Sequence, residues 1–225
     1  MDDLISAPIP ADATLDEIRA GLAPLIAANA AFDGWNSTAL ETAADQAGVD
    51  ADVAALAFSG GAVAMIDAWF AHVDAQMAAA LPPETLATMK VRQKITALVE
   101  ARLAIVVDER EALRRALAIL AMPQNALRGA RLAWRSVDLM WRAAGDTATD
   151  YNHYTKRAIL AAVYAATITV FLDDESEEWA DTRAFLGRRI EGIMRFEKTK
   201  AGITQRTQNL PSLSRFIGRL RYPVV

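Results

Sequence analysis

Apolar residues recur at helical spacing along most of the chain, whereas the strict alternation of a half-buried strand is nearly absent. Glycine and proline are scarce, with 11 and 8 among 225 residues, and alanine is abundant. Such a composition favours helices. Since 53% of the residues are hydrophobic, the chain is also long and apolar enough to build a sizeable core. We therefore predict an all-α architecture.

Capping residues and helix breakers locate the predicted helices. Thr14 caps the first, Gly48 ends the second, Asp50 caps the third, and Pro82 and Pro83 open the fifth. In chain order, helices are predicted over residues 14–29, 37–47, 50–58, 62–80, 82–105, 109–120, 124–144, 150–172, 176–198 and, after a polar linker, 211–221. We divide the chain into an N-terminal bundle (1–80), a central helical domain (81–200) and a tail (201–225).

Cationic side chains are distributed unevenly along the chain. Arg19 is the only Lys or Arg before Lys90, and the stretch Gly21–Met89 contains eight Asp and Glu residues. From Arg183 to Val225 the balance reverses, with ten basic residues and two acidic ones. The two ends of the chain therefore suit partners of different charge.

Composition excludes several kinds of site. The chain has no cysteine and two histidines, which rules out disulfides, thiolate catalysis and cysteine- or histidine-rich metal centres. We predict neither a metal nor a cofactor, and we interpret the acidic turn Asp173–Glu178 as a helix cap. The start, MDDLISAPIP, lacks the features of a secretory signal. The uncharged run Ala158–Leu172 is too short to cross a bilayer and predicts a buried core helix.

Residues 34–58 have the spacing of a helix-turn-helix, with two short helices joined by a glycine turn. With the helical remainder, this pattern resembles the TetR-like regulator fold of about nine helices. A recognition helix needs Lys and Arg to contact phosphate, but residues 50–58 carry Asp50 and Asp52 and no cation. We therefore expect a degenerate helix-turn-helix that binds no nucleic acid. A TetR-like, ligand-responsive transcription regulator is the alternative function.

The segment Met140–Lys198 carries a longer and more specific pattern. It contains AGDTATDYNHYTKRA and then DDESEEWADTRAFLGRRI, and ALAILAMPQN upstream adds to the likeness. The chain thereby resembles a bacterial member of the TetR-like ubiquinone biosynthesis accessory family, the Coq-nine proteins. The resemblance implies a non-enzymatic homodimer that binds an isoprenoid quinone precursor or a phospholipid. It also implies that the quinone precursor is presented to the di-iron demethoxyubiquinone hydroxylase at the membrane. The family commonly has tryptophan at the position of His153.

The predicted helical stretches 130–144 and 150–172 carry more bulky apolar surface than polar cover. Ordinary core packing explains any single one of these residues. A TetR-like domain, however, usually holds a ligand cavity among these helices, and a lipid needs only shape and an apolar lining. The predicted lipid-binding residues, two of them on the preceding helix, are Leu117, Leu120, Trp134, Val137, Met140, Trp141, Leu160, Tyr164 and Ile168.

Residues 145–157 combine a glycine turn with an unusually polar and aromatic helix start. Helix capping explains one or two of the Asp and Thr residues but not the aromatic ones. Aromatic residues and Arg are the usual anchors of protein interfaces, so we predict that this patch docks the hydroxylase. The alternative is that His153 is a general base, although no nucleophile lies near it in the sequence. The predicted partner-binding residues are Asp150, Tyr151, Asn152, His153, Tyr154 and Arg157.

The last predicted helix is basic and amphipathic, which is typical of peripheral attachment to an anionic membrane surface. Its predicted membrane-binding residues are Leu213, Arg215, Phe216, Ile217, Arg219, Leu220 and Arg221. The alternative is a terminal helix that packs on its own or a neighbouring subunit. We expect a cytoplasmic protein that is peripheral on the inner membrane.

Overall fold

The computed structural model describes residues 9–10, 12–147 and 151–193, with the side chains of 151 and 152 left out. Helices dominate this part of the chain, and it contains no strand, which confirms the predicted all-α architecture. The helices are α1 (Leu15–Asp33), α2 (Ser37–Ala47), α3 (Ala51–Ala57), α4 (Ala62–Ala80), α5 (Pro83–Ala87), α6 (Val91–Ile105), α7 (Arg110–Ala121), α8 (Ala126–Ala143) and α9 (Tyr151–Leu172). A 3-10 turn (Glu177–Trp179) then leads into α10, residues 180–193.

Local capping starts α1 and α3 and ends α2 as the sequence predicts, whereas α1 continues to Asp33, beyond the predicted end at residue 29. Thr14 Oγ1 accepts a hydrogen bond from the Glu17 backbone N–H at 3.3 Å, and the Thr14 N–H donates to the Glu17 carboxylate at 2.8 Å. Asp50 Oδ1 accepts from two backbone N–H groups in the first turn of α3. Gly48 ends α2 at φ 68°, a left-handed conformation that glycine adopts without steric cost.

The prediction of a single helix over residues 82–105 is wrong, because the structure divides this stretch into α5 and α6. The break lies at Lys90, whose backbone is extended at φ −72° and ψ 152°. The Lys90 N–H donates to Gln93 Oε1 at 2.9 Å, so the Gln93 side chain satisfies a backbone donor at the start of a new helix. Upstream, Thr88 Oγ1 donates to the Thr85 carbonyl at 3.1 Å at the end of α5.

The front helices share one continuous core with the helices that follow. α4 packs against α1, α6, α7 and α8. Its Trp69 lies 5.3 Å, between ring centroids, from Trp35 in the connection before α2. Trp35 Nε1 in turn donates to the Ala112 carbonyl of α7 at 2.9 Å. The helix-turn-helix is therefore fixed by buried contacts of Trp35 to α4 and α7.

α9 matches the helix predicted over residues 150–172, and the uncharged run Ala158–Leu172 forms its later part. By length and composition alone, its residues His153–Leu172 could cross a membrane, a test that core helices of soluble proteins also pass. One face of α9 is buried in the chain through Leu160, Val163, Ile168 and Phe171. That face confirms that the helix packs in the core, but the prediction that it is too short to cross a bilayer is wrong, because the apolar stretch is 20 residues long.

The acidic turn before α10 is a cap, as predicted, but Asp174 has the main role. Its Oδ2 accepts from the Thr182 backbone N–H at 2.8 Å, and its Oδ1 accepts from the Ser176 N–H at 2.9 Å. Burial raises the pKa of Asp174, but hydrogen bonds from Ser176 and Thr182 outweigh this effect and hold that pKa far below its usual range. α10 starts later than predicted because Glu178 and Trp179 adopt positive φ, while the Trp179 ring packs edge-on against Phe171.

Candidate functional site: an apolar cavity and a polar patch

A cavity of about 520 Å³ lies between α4, α6, α7, α8 and α9. Its wall is mainly apolar, because fifteen of the nineteen lining residues are hydrophobic or glycine. The four polar lining residues are Arg102, Ser136, Tyr164 and Thr169. A space of this size and lining is typical of sites that bind small apolar molecules.

Small residues of α8 line one side of the cavity. They are Ala126, Gly129, Ala130 and Ala133. Gly129 also brings α8 close to the end of α7, since a Cβ there would lie 3.1 Å from the Leu120 carbonyl oxygen. A larger side chain at this position would force the two helices apart. The helix pair therefore packs closely at one point and leaves space beside it.

Five of the nine predicted lipid-binding residues line the cavity. Leu117 and Leu120 come from α7, Val137 comes from α8, and Tyr164 and Ile168 come from α9. They share the space with residues that the sequence analysis did not select, notably Phe70 and Val73 of α4 and Val106 directly after α6. Sequence periodicity marks the inward face of each helix, but it does not show which faces meet around a void.

The other four predicted residues lie outside this cavity. Met140 is fully buried in the core. Trp141 and Leu160 line a separate apolar cleft of about 100 Å³ beside α6 and α10. Trp134 stacks on Tyr154, with 6.1 Å between ring centroids. The cavity involves residues 126–137 of α8 and 161–169 of α9, so residues 140, 141 and 160 lie closer to the turn that joins the two helices.

A buried ion pair borders the cavity. Arg102, 3% exposed, donates through Nη1 to Oδ1 of Asp74, which is 7% exposed. Arg102 Nε donates to the Tyr164 hydroxyl at 3.0 Å, and Ser136 Oγ lies 3.3 Å from Asp74 Oδ2, to which it donates. Arg135 Nε lies 3.6 Å from the same carboxylate. Sequence reasoning missed this group, although the position of Arg102 on the apolar face of α6 was a usable signal.

The turn between α8 and α9 is held by a second buried arginine, Arg157, which is 1% exposed. Arg157 Nε donates to Asp138 at 2.5 Å, and Nη1 donates to Asp146 and to the His153 carbonyl, both at 3.1 Å. Lys156 Nζ donates to Asp146 at 2.6 Å. Burial raises the pKa of Asp146. Hydrogen bonds from Lys156 and Arg157 lower this pKa by more than burial raises it, so the net shift is downward.

The prediction that Arg157 itself contacts a partner needs correction, because its side chain is buried beneath the patch. Tyr154 fits the prediction better, since it is 62% exposed and lies between the rings of Trp134 and His153. Asp150 and the side chains of Tyr151 and Asn152 lie outside the described residues. Arg157 thus positions the turn, and Tyr154 presents an aromatic surface.

The outward face of α3 presents no cation. Asp52, Val53 and Leu56 are exposed there, and α2 and α3 contain no Lys or Arg. This surface lacks the groups that contact phosphate. That the protein binds no nucleic acid stays a prediction.

The predicted membrane helix lies outside the described residues. This concerns all seven predicted membrane-binding residues, namely Leu213, Arg215, Phe216, Ile217, Arg219, Leu220 and Arg221. Their role stays a prediction.

The cavity and the patch fall largely within a known family domain. A family model described as COQ9 matches residues 126–197, which include α8, α9 and the patch between them. The mitochondrial ubiquinone biosynthesis protein COQ9 of Rattus norvegicus is 33% identical over 172 residues, covering 74% of this chain and 55% of that protein. Its counterpart from Homo sapiens is 40% identical over 110 residues, covering 49% of this chain and 35% of that protein. The chain spans about half or less of the length of these curated relatives.

The fold itself matches a solved structure. The TetR transcriptional regulator from Nitrosomonas europaea ATCC 19718 superimposes with a TM-score of 0.62 over 77% of this chain and 96% of that chain. Its sequence identity is 22%, so the likeness concerns the fold alone, and it confirms the predicted TetR-like architecture. The family match covers α8 to α10, so residues 126–197 form a COQ9 domain, and the described chain has a TetR-like fold.

Proposed function

We propose that this protein is a non-catalytic, lipid-binding accessory protein of ubiquinone biosynthesis. It presents a polyprenylated quinone intermediate to the demethoxyubiquinone hydroxylase at the membrane. The apolar cavity of about 520 Å³ is the observation that carries the proposal. The names of its relatives supply the pathway, since they are ubiquinone biosynthesis proteins.

The cavity suits a prenyl chain energetically. Burying a CH₂ group contributes about 0.8 kcal/mol, so one five-carbon isoprene unit contributes roughly 3 to 4 kcal/mol at most. Two or three units are then enough for useful retention, and the alanines of the wall provide smooth apolar surface without polar groups to satisfy. The polar side chains that border the cavity bind one another, which favours holding a ligand over transforming it.

The patch around Tyr154 provides the proposed contact with the hydroxylase. Tyr154 is exposed and stacked on Trp134, and the turn beneath is fixed by Arg157. A preformed aromatic surface costs little side-chain entropy when a partner covers it. We further propose that the protein acts as a homodimer joined through its two long C-terminal helices.

Membrane attachment is proposed for the basic tail. Each Arg near an anionic leaflet contributes on the order of 1 kcal/mol, which suits reversible peripheral binding on the inner membrane. Deleting residues 210–225 is expected to reduce co-sedimentation with liposomes that contain anionic lipid. Unchanged co-sedimentation would remove the tail from the account.

The proposal is tested by the lipid that accompanies the purified protein. Organic extraction followed by mass spectrometry is expected to release a prenylated quinone precursor in a substantial molar ratio to the protein. One preparation should avoid detergent. A second should be incubated with vesicles that contain the quinone, so that bound lipid can exchange. A protein that is empty in both preparations and takes up no hydrophobic guest would contradict the proposal.

A further inference from the structure

Three of the polar side chains that line the cavity form one connected group. Arg102 donates to Tyr164 and to Asp74, and Ser136 donates to the same Asp74 carboxylate. Arg102 belongs to α6, Ser136 to α8 and Tyr164 to α9. Asp74 comes from α4. We call Arg102, Asp74, Ser136 and Tyr164 the polar wall. Such a group is unusual in a cavity that is otherwise lined almost wholly by apolar side chains.

The polar wall lies at the inner side of the cavity. Exposed lining residues mark the opening, and most of them belong to α8 and α9, with Ala130 and Ala165 as examples, while Ala121 comes from the end of α7. Buried lining residues mark the interior, and they include Val73 of α4, Arg102 of α6 and Val106, which follows α6. A ligand that enters between α8 and α9 therefore meets Arg102 at its inner end.

The polar wall retains hydrogen-bonding capacity. A guanidinium group has five N–H donors, and Arg102 uses Nη1 for Asp74 and Nε for Tyr164. Its Nη2 donates to none of the residues that the structure describes. The Tyr164 hydroxyl accepts the bond from Nε, and its own proton is donated to no described acceptor. An acceptor oxygen in the cavity would satisfy both groups.

The charges around the polar wall select a neutral acceptor. Asp74 balances Arg102, and Arg135, which also lies near Asp74, is paired with Asp67. A carboxylate or phosphate entering the cavity would add an unbalanced charge close to the Asp74 carboxylate in an apolar space, at a high desolvation cost. A carbonyl oxygen accepts from the free N–H and O–H groups without that cost.

We propose that the polar wall binds the ring end of the ligand, with a neutral carbonyl oxygen of a quinone accepting from Arg102 Nη2 and the Tyr164 hydroxyl. The apolar chain then extends towards the opening between α8 and α9. This inference rests on the proposed function and deepens it by assigning the ring-binding residues and the orientation of the bound ligand. Release of the ring breaks bonds to the ligand only, because the Arg102–Asp74 pair persists without it.

The test compares three probes that carry the same ten-carbon chain. Their head groups are a benzoquinone, a benzene ring and a carboxylate. Isothermal titration of the full chain gives a dissociation constant for each probe. The wild-type protein is expected to bind the quinone about 10-fold more tightly than the alkylbenzene, because hydrogen bonds to a charged donor are the stronger kind. The carboxylate should bind more weakly than the quinone.

Variants assign the preference to the polar wall. Tyr164→Phe should reduce the quinone preference, and the double variant Arg102→Met with Asp74→Leu should reduce it to about twofold or less. The double change removes both charges, so neither is left buried without its partner. Leu117→Ala is the matched control, because it removes apolar wall only and should weaken quinone and alkylbenzene binding by the same factor.

Each outcome bears on a separate claim. If no probe binds, the proposed lipid-binding function fails. If quinone and alkylbenzene bind the wild type equally, lipid binding stands and the polar wall is only a structural ion pair. A preference that survives in Tyr164→Phe and in the double variant would also overturn the inference, as would tighter binding of the carboxylate. Tyr164→Phe alone decides the matter should the double variant fail to fold.

Discussion

Two arginines are almost completely buried in the described part of this protein, and their surroundings differ. Arg157 is paired with two carboxylates, Asp138 and Asp146, and it holds the turn that carries Tyr154. Arg102 is paired with one carboxylate and one hydroxyl, and it lines a cavity. Burying a charge without adequate partners costs several kcal/mol. The comparison therefore separates an arginine that fixes a surface turn from one that borders a cavity.

The largest loss of stability is expected for Arg157→Met. This change leaves Asp138 and Asp146 with fewer cations, so the free energy of unfolding should fall by about 3–5 kcal/mol. Urea denaturation followed by circular dichroism measures it. Arg142→Met is a suitable control, because Arg142 pairs with the same Asp138 from an exposed position and should cost less than about 1 kcal/mol. Equal losses in both variants would show that the buried arginine has no special role.

A smaller loss is expected for Arg102→Met. Asp74 keeps Ser136 and lies near Arg135, so the free energy of unfolding should fall by about 2–3 kcal/mol. Adding Asp74→Leu should recover most of this loss, since the uncompensated carboxylate is then gone. The same denaturation experiment compares both proteins with the wild type. A double variant less stable than the single one would argue against a simple ion pair.

Acidification should act next, through Asp146 and Asp174. Because the folded-state pKa of each carboxyl is lowered, its contribution to stability is complete above the unfolded pKa of about 3.9. The contribution is lost as pH falls through the lowered, folded-state pKa. Urea midpoints at a series of pH values should thus fall below about pH 4. The Arg157→Met variant should show a shallower fall. An unchanged pH profile in this variant would show that the pKa of Asp146 does not depend on Arg157.

The smallest change in stability is expected for Tyr154→Lys. An exposed side chain away from the core contributes within about 0.5 kcal/mol, so the melting temperature should be nearly unchanged. Pull-down of the hydroxylase should nevertheless be abolished, because the aromatic anchor is lost. A large drop in melting temperature would show that Tyr154 is structural, and retained pull-down would remove the patch from the proposal.

Local signals made much of the fold predictable. Thr14, Gly48 and Asp50 act within a few residues of their own positions, and the helices that they start or end follow from the sequence alone. The break between α5 and α6 was missed because it depends on a side chain, Gln93, that is not a usual cap partner for lysine. The turn at Glu178 was missed because it depends on a side-chain contact, in which Trp179 packs on Phe171 at the end of the preceding helix.

The candidate site was predictable only in part. Periodicity identified inward faces, so Leu117, Val137 and Tyr164 were found. It could not distinguish filled core, such as Met140, from the wall of a void, because a void depends on how five helices pack together. The role of Arg102 also depends on tertiary contacts, since its partners are 28 and 62 residues away along the chain.

The central claim, that the cavity holds a prenylated lipid, is tested most directly by filling it. Ala161 lines the cavity, whereas Ala162 on the next position of α9 is exposed and does not. Mass spectrometry should find the prenylated lipid in extracts of the wild type and of Ala162→Phe, and little of it in Ala161→Phe at a similar melting temperature. Equal lipid content in the three proteins would contradict the claim.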